Sequence, residues 1–201
     1  MLIENRFLKY ISFLISFIFI TYVIYIIISS FSIVKNQFID IGDTTYVNQV
    51  RTDDYTIKLA DFLTKDCKSD INCEVQAILD FVTKIPYKIN ESIARSSKQV
   101  VEQNFGDCDD KSNLLISMLK LKGYEAYFVL VPKHIFVIVN LENIKLNKKV
   151  LYVNDKPFYI LESTATGSKI GFDLKYKLSE IDAIVDPFVN KKLVVNNLDY
   201  K

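Results

Sequence analysis

A cysteine flanked by acidic residues stands where the sequence predicts that a helix begins. Cys108 lies in the segment GDCDDKS at residues 106–112, and an apolar helical pattern follows it directly. The first turn of a helix offers unpaired backbone N–H groups and the positive end of the helix dipole, and both favour a thiolate. A thiolate in such a position can attack an acyl carbon.

Two further residues could complete a nucleophilic site. His134, the single histidine of the chain, precedes a strongly apolar run, and Glu162 ends a later strand-like stretch. An imidazole can accept the proton of a thiol, and a carboxylate can hold the far nitrogen of that imidazole. The order Cys108, His134, Glu162 therefore indicates nucleophilic catalysis. The backbone N–H of Cys108 is the expected first donor of an oxyanion hole, and the side chains of Gln103 and Tyr87 are alternatives for the second donor.

Simpler interpretations exist for the same residues. Cys108 could be a structural cysteine and His134 a core histidine, although the neighbouring aspartates make an apolar niche for the cysteine unfavourable. Asp109 and Asp110 could serve mainly as first-turn acids that complement the helix dipole, and their charge works against a thiolate. With one histidine and no ligand spacing, the sequence predicts no metal site, and no motif implies a cofactor.

Composition limits the classes of function. The chain has 201 residues, half of them apolar, and a formal net charge of +1. That length allows one domain with a substantial core. Because no basic face is concentrated anywhere, nucleic acid is not an expected partner. A protein or peptide substrate fits the candidate nucleophile, and the sequence gives no basis for an oligomeric state.

The N-terminal segment is long and apolar. Residues 10–34 contain no charged side chain. As a helix they would span about 37 Å, which exceeds the roughly 30 Å of hydrocarbon in a bilayer. A signal peptide is the alternative, but it would have a shorter apolar region and a small-residue cleavage site, which residues 30–32 match poorly. We expect a membrane anchor over residues 1–34 and a tether over residues 35–50.

The charges flanking this segment predict its orientation. Arg6, Lys9 and the amino terminus precede it against a single acid, Glu4, whereas Lys35 is followed by two acids. The positive flank normally stays in the cytoplasm. The chain is thus expected to be a single-pass membrane protein with residues from about 36 onward outside the cytoplasm.

The remaining cysteines fit that location. Cys67 and Cys73 stand six residues apart between two helical patterns. In an oxidising compartment they could form a disulfide and leave Cys108 as the free thiol. The alternative is two unrelated cysteines that act as small apolar residues.

The periodicity of the soluble part changes along the chain. Helical spacing comes first, and short runs rich in branched and aromatic residues follow. This order indicates an α+β domain in which an antiparallel sheet packs on the Cys108 helix. Helices are predicted over residues 52–66, 71–85, 97–103 and 108–123, and strands over residues 126–131, 135–139, 150–153, 158–161, 181–185 and 193–195.

These parts resemble the transglutaminase-like superfamily of bacteria or archaea, a papain-like cysteine fold. The resemblance rests on the segment GDCDDKS, the following Leu114-Leu115 through Gly123-Tyr124, His134 opening a strand, and the segment YILEST at residues 159–164 with Gly167. It covers roughly residues 72–171 within an expected domain of residues 51–201.

The resemblance implies Cys108 as nucleophile, His134 as general base and Glu162 as the orienting acid. Two positions depart from the pattern, because members of the family often have Asp where Glu162 stands and Trp where Phe136 stands. The first departure concerns the third catalytic residue, and the second concerns packing.

The expected function is a membrane-anchored, extracytoplasmic cysteine peptidase, amidase or acyltransferase that forms a thioester acyl-enzyme. Since water is the commoner acceptor, hydrolysis is expected rather than crosslinking. One alternative is a binding module that keeps the fold with little turnover. Another is a purely structural membrane-tethered domain.

Overall fold

The computed structural model describes residues 6–41, 45–90, 95–141 and 146–201. Residues 1–5 of the predicted anchor, with Glu4, and residues 42–44 of the predicted tether lie outside them. The elements are α1 (Arg6–Gln37), β1 (Phe38–Asp40), β2 (Thr45–Val47), α2 (Asp54–Thr64), α3 (Ile71–Lys84), α4 (Ser97–Gln103), α5 (Cys108–Leu121), β3 (Glu125–Val131), β4 (His134–Asn140), β5 (Leu151–Val153), β6 (Lys156–Leu161), β7 (Ala183–Asp186), β8 (Lys191–Lys192) and β9 (Leu198–Tyr200).

Local signals define the ends of α5. The Asp107 side chain caps its first turn by accepting a hydrogen bond from the Asp110 N–H at 3.1 Å. Gly123, just beyond the last turn, adopts φ +84°, which suits a residue without a Cβ. The helix predicted to begin at Cys108 is therefore confirmed.

The fully buried face of α2 carries small residues. The large side chain of Phe62 is 63% exposed, and Leu59 and Leu63 are only partly buried against the core. Instead Thr56, Ala60 and Thr64, spaced four residues apart, are buried. Small side chains at this spacing allow α2 to lie close to α3 and α5, both of which it contacts.

The larger sheet has seven strands in the order β8-β7-β3-β4-β6-β5-β9, and all of its pairs are antiparallel. The α+β class with an antiparallel sheet is thus confirmed. The prediction of a strand at residues 193–195 is wrong, because these residues lie between β8 and β9. A two-residue turn joins β3 to β4 and pairs Val131 with His134.

Both faces of this sheet are covered. One face packs with α2, α3, α4 and α5 around residues such as Val75, Leu115 and Val137. The other face, with Phe136, is covered by side chains from the C-terminal segment, including Tyr176. Burial on two faces explains why the central strands are continuous apolar runs rather than alternating ones.

The predicted tether is largely folded. Strands β1 and β2 form an antiparallel pair in which Ile39 lies opposite Tyr46. Ile39, Tyr46 and Val50 are buried in the core that contains α5. The core therefore extends to the N-terminal side of residue 51, where the sequence predicted the domain to begin.

Helix α1 is long and apolar enough to cross a membrane. Its segment Arg6–Ser32 has 27 residues and a mean hydropathy of 2.6. None of the most apolar part is buried against the rest of the chain. A signal sequence has the same characteristics, so the helix alone does not distinguish an anchor from a leader.

Cys67 and Cys73 form a disulfide in the structure, with Cα atoms 5.5 Å apart. It closes the connection between α2 and α3. Cys108 is the free cysteine. The predicted pairing is therefore present.

Candidate active site

Helix α5 presents Cys108 at its first position. The Lys111 N–H donates to the Asp107 carbonyl, which makes Asp107 the cap and Cys108 the first helical residue. The half-buried sulfur faces the backbone N–H groups of Asp109 and Ile135. Because Ile135 follows His134 directly, the start of α5 and the start of β4 meet at the thiol.

His134 and Glu162 are in direct contact. The imidazole Nε2 lies 2.8 Å from Oε2 of Glu162, and both side chains are largely buried. The other carboxylate oxygen accepts hydrogen bonds from the backbone N–H and the hydroxyl of Thr164, at 2.9 and 2.6 Å. These bonds and the one to His134 offset the effect of burial and lower the pKa of Glu162 below its usual value. The carboxylate is thus charged and fixed in orientation.

The contact with Glu162 assigns roles to the two ring nitrogens. Glu162 holds Nε2, so Nδ1 is the nitrogen that can exchange a proton with a nucleophile. Tyr176 lies nearly parallel to the ring, with centroids 6.1 Å apart and planes at 20°. The imidazole is thereby restrained both at its edge and on one face.

A buried hydroxyl links the three chain segments that carry these residues. The hydroxyl of Ser112, one turn after Cys108, lies 3.0 Å from the Ser163 hydroxyl and donates to the Ile135 carbonyl at 3.4 Å. Ser163 follows Glu162 in sequence. The spacing between the helix start and the two strand ends is therefore set by contacts within the core.

Cys108 and His134 line the same cleft, which has a volume of about 400 Å³. The turn from β3 to β4 and the loop before β7 form one wall, and the β1–β2 hairpin forms another. The cleft combines apolar surface with a few charged groups. The lining residues are Ile41, Thr45, Tyr46, Cys108, Asp109, Leu130, Val131, Pro132, Lys133, His134, Ile135 and Asp182.

The environment of Cys108 favours the protonated thiol. Burial, followed by the charges of Asp109 and Asp107, raises the pKa of the Cys108 thiol to about 12. The thiol lies 3.8 Å from Oδ1 of Asp109, to which it donates. The helix start alone therefore does not produce the thiolate expected from the sequence, because the acidic neighbours oppose it.

The first turn of α5 is anchored from outside the helix. Asp110, which is fully buried, accepts bonds from the Arg95 backbone N–H at 2.7 Å and from two nitrogens of its guanidinium. Arg95 also stacks over Phe105, with its guanidinium carbon 4.0 Å from the ring centroid. On the opposite side, the buried Lys111 ammonium donates to the Ile85 carbonyl at 2.7 Å. Asp110 therefore acts as a structural anion rather than as a simple first-turn acid.

The two side-chain candidates for the oxyanion hole lie in different places. Gln103 ends α4, and its amide oxygen accepts a hydrogen bond from Arg95. Tyr87 forms a bridge with Gly106 just before α5. Partial burial and then the negative charges of Cys108, Asp107 and Asp109 raise the pKa of Tyr87. Tyr87 is consequently the candidate whose hydroxyl lies in the electrostatic environment of Cys108.

Sequence reasoning missed several contributors to this site. Thr164 was part of the quoted motif, and its spacing of two residues from Glu162 is typical of a hydroxyl that binds a preceding carboxylate. Tyr46 and Tyr176 reach the site through tertiary packing, so no local signal identified them. Among the described residues, no group of three or more histidine, cysteine or acidic side chains could hold a metal ion.

Comparison with protein-family models finds no match, and neither does comparison with curated proteins. Two solved structures are similar over part of their length. A candidate cysteine protease from Cytophaga hutchinsonii is 18% identical with a TM-score of 0.42, and covers 55% of this chain. A candidate protease from Parabacteroides distasonis is 15% identical with a TM-score of 0.43, and covers 70% of this chain. The chain spans 37% and 27% of the two structures, respectively. Neither likeness is close enough to assign a function.

Proposed function

We propose that this chain is a membrane-anchored cysteine hydrolase of the transglutaminase-like, papain-like type, acting on amide or peptide bonds outside the cytoplasm. Cys108 is the nucleophile, His134 the general base and Glu162 the orienting acid. The observation that carries the proposal is the His134–Glu162 pair at 2.8 Å on the cleft that Cys108 also lines. A carboxylate fixed by Thr164 and bound to the far imidazole nitrogen is the arrangement that a general base requires.

The reaction has two acyl-transfer steps. The Cys108 sulfur attacks the amide carbon while Nδ1 of His134 accepts the thiol proton. The carbon–nitrogen bond then breaks, and the imidazolium donates that proton to the leaving amine. Water, deprotonated by the imidazole, hydrolyses the thioester and regenerates the thiol. The Cys108 backbone N–H is the first donor to the oxyanion, and Tyr87 is preferred to Gln103 as the second.

The high pKa of Cys108 specifies how the nucleophile is generated. Because the neighbouring Asp109 disfavours a free thiolate, the proton leaves during the attack rather than before it. This is general-base catalysis rather than reaction of a stored ion pair. It makes the geometry of His134 more important than the position of Cys108 at a helix start.

The membrane part of the proposal rests on three features together. Helix α1 is long enough to cross a membrane, and its most apolar part is not buried against the rest of the chain. The basic residues Arg6 and Lys9 precede its apolar stretch. The domain also carries the Cys67–Cys73 disulfide, which is typical of an oxidising compartment. Protease added to intact spheroplasts should digest the domain. Protection of the domain until the membrane is lysed would contradict this orientation.

The same environment favours a second candidate function. A protonated thiol bonded to Asp109 would also suit a binding module that retains the cleft without turnover. Reactivity distinguishes the two. The enzyme should be acylated at Cys108 by an activated ester near neutral pH and then release the acyl group to water, whereas a binding module should react no faster than a small thiol. Mass spectrometry of the intact protein measures both steps.

A further inference from the structure

Hydrogen bonds join the end of α1 directly to the domain. The Gln37 carbonyl accepts a bond from the Asn48 N–H at 2.7 Å. The side chain of Asn48, which is buried, donates to the Pro187 carbonyl and, at 3.1 Å, to Asn190. Asn190 in turn donates to the Phe38 carbonyl at 3.3 Å. The junction between α1 and β1 is therefore bonded to the loop after β7 rather than being a free linker.

The hairpin that continues from this junction also lines the cleft of Cys108. Thr45 and Tyr46 of β2, with Ile41, form one of its walls. Tyr46 packs edge-on against Phe128, with ring centroids 5.9 Å apart, and its hydroxyl donates to Asn113 of α5 at 3.3 Å. Hydrogen bonds and packing contacts thus connect the end of the apolar helix to the proposed substrate cleft.

The covalent path between them is short. The apolar segment ends at Ser32, and Ile39, seven residues later, lies opposite Tyr46. One and a half turns of helix, two strand residues and one step between strands amount to about 20 Å. Even a fully extended chain from Ser32 to Ile41 would reach only about 30 Å. The wall of the cleft that contains Ile41 therefore lies within this distance of the end of the apolar segment.

We propose that the substrates of Cys108 are peptide segments held within about 30 Å of the membrane surface, such as the juxtamembrane parts of membrane-anchored proteins. This inference rests on the proposed function, since it requires α1 to span the membrane and Cys108 to be the nucleophile. A protein free in solution can reach the cleft as well, but an anchored segment at this height meets it at a high effective concentration. The hydrogen bonds at the junction restrict the range of heights above the membrane at which the cleft can lie.

Reactive probes at different heights test the proposal. The full chain is placed in liposomes with chloroacetamide attached to a lipid headgroup through a short spacer of about 30 Å or a long spacer of about 60 Å, or with the soluble chloroacetamide. In the reaction the sulfur bonds to the methylene carbon and chloride leaves. We expect the short-spacer lipid to label Cys108 at least tenfold faster than the long-spacer lipid at equal surface density.

A matched pair of variants shifts the expected height. An insertion of about 27 helix-forming residues between Gln37 and Phe38 would raise the cleft by about 40 Å, and the same insertion after Lys201 is the control. The first variant should prefer the long spacer, and the control should behave as the parent. Equal labelling with both spacers, or an unchanged preference after the insertion at Gln37, would overturn the inference.

The soluble probe separates this inference from the proposed function. If it labels Cys108 equally in all three proteins, the site is folded and reactive, and only the height is being tested. If it fails to label Cys108 in the parent chain, the nucleophile assignment is wrong and the inference falls with it. Release of the parent chain from the liposomes by alkaline carbonate would overturn the inference while leaving the nucleophile assignment intact.

Discussion

The two halves of the candidate site match their proposed catalytic roles to different degrees. At the strand ends, His134 is paired with Glu162, whose carboxylate accepts two further hydrogen bonds from Thr164. At the helix start, the Cys108 thiol donates to Asp109, and burial together with the acidic charges raises its pKa to about 12. The proposed base, His134, is oriented in the free protein, whereas the proposed nucleophile, Cys108, is held in its protonated form.

This difference indicates when the nucleophile becomes reactive. A thiolate stored before substrate binding would require positively charged surroundings, but aspartates surround the start of α5. Transfer of the proton to His134 during attack requires no such storage. Activity should therefore depend strongly on His134, and Asp109 should lower the reactivity of the Cys108 thiol.

Loss of either partner in the proton transfer should have the largest effect. Cys108→Ala should abolish activity, and His134→Ala should lower kcat/KM at least about 10³-fold, or about 4 kcal/mol, because nucleophile and base act as one unit. Hydrolysis of an activated ester measures both variants, with circular dichroism as the test of folding. Activity of His134→Ala within tenfold of the parent would contradict the proposed base.

The free energy of unfolding should depend strongly on the ion pair that anchors the start of α5. Arg95→Ala would leave the fully buried Asp110 carboxylate without its ion pair, which spans 2.7 Å. The expected loss is about 3–5 kcal/mol in the free energy of unfolding, measured by urea denaturation. Lys98→Ala is the matched control, because its pair with Glu102 is exposed and should contribute less than about 1 kcal/mol. Similar losses in both variants would contradict a structural role for the buried pair.

The orienting acid should matter less than the base. In Glu162→Gln the single amide oxygen cannot accept from both Thr164 and the imidazole N–H, as the two carboxylate oxygens do, but the thiol and the imidazole remain. We therefore expect kcat to fall roughly 10- to 100-fold, which corresponds to about 1.4–2.8 kcal/mol. Thr164→Val, which removes one hydrogen bond to the carboxylate, should produce a smaller fall in kcat. A Glu162→Gln variant as active as the parent would show that the contact with His134 is structural.

Removal of the charge beside the thiol should have the smallest effect, and in the opposite direction. Asp109→Asn removes a negative charge that raises the pKa of Cys108, so a larger fraction of the thiol ionises at a given pH. The alkylation rate with iodoacetamide near neutral pH should rise several-fold. Asp182→Asn, on the same cleft, is the control and should change the rate little. An unchanged rate in Asp109→Asn would show that this carboxylate does not restrain the nucleophile.

The sequence predicted the elements whose signals are local. Asp107 and Gly123 bracket α5, and apolar runs define β3 and β4, so the helix and strands carrying Cys108 and His134 were placed correctly. The β1–β2 hairpin was missed because its stabilising contacts are distant in sequence, such as that of Asn48 with Pro187.

The same division applies to the candidate site. The residues around Cys108 and the strand end at Glu162 pointed to these side chains from the sequence alone. The structure places Cys108 and His134 on one cleft and brings Glu162 into contact with His134. The electrostatic balance at the thiol depends on burial as well as on charge, and burial is a tertiary property. The ring of Tyr176 over His134 is likewise produced by the covering of the second sheet face.

The pH dependence of Cys108 acylation shows whether His134 accepts the proton of the thiol. The burst of p-nitrophenol from p-nitrophenyl acetate is followed from about pH 5 to about pH 10 in the parent chain and in His134→Ala. If the imidazole accepts the thiol proton, the parent rate should level off below the pH range in which the thiol itself ionises. The variant rate should be far lower and still rising at the alkaline end, where the thiol itself begins to ionise. Superimposable profiles for the two proteins would show that His134 does not accept the thiol proton.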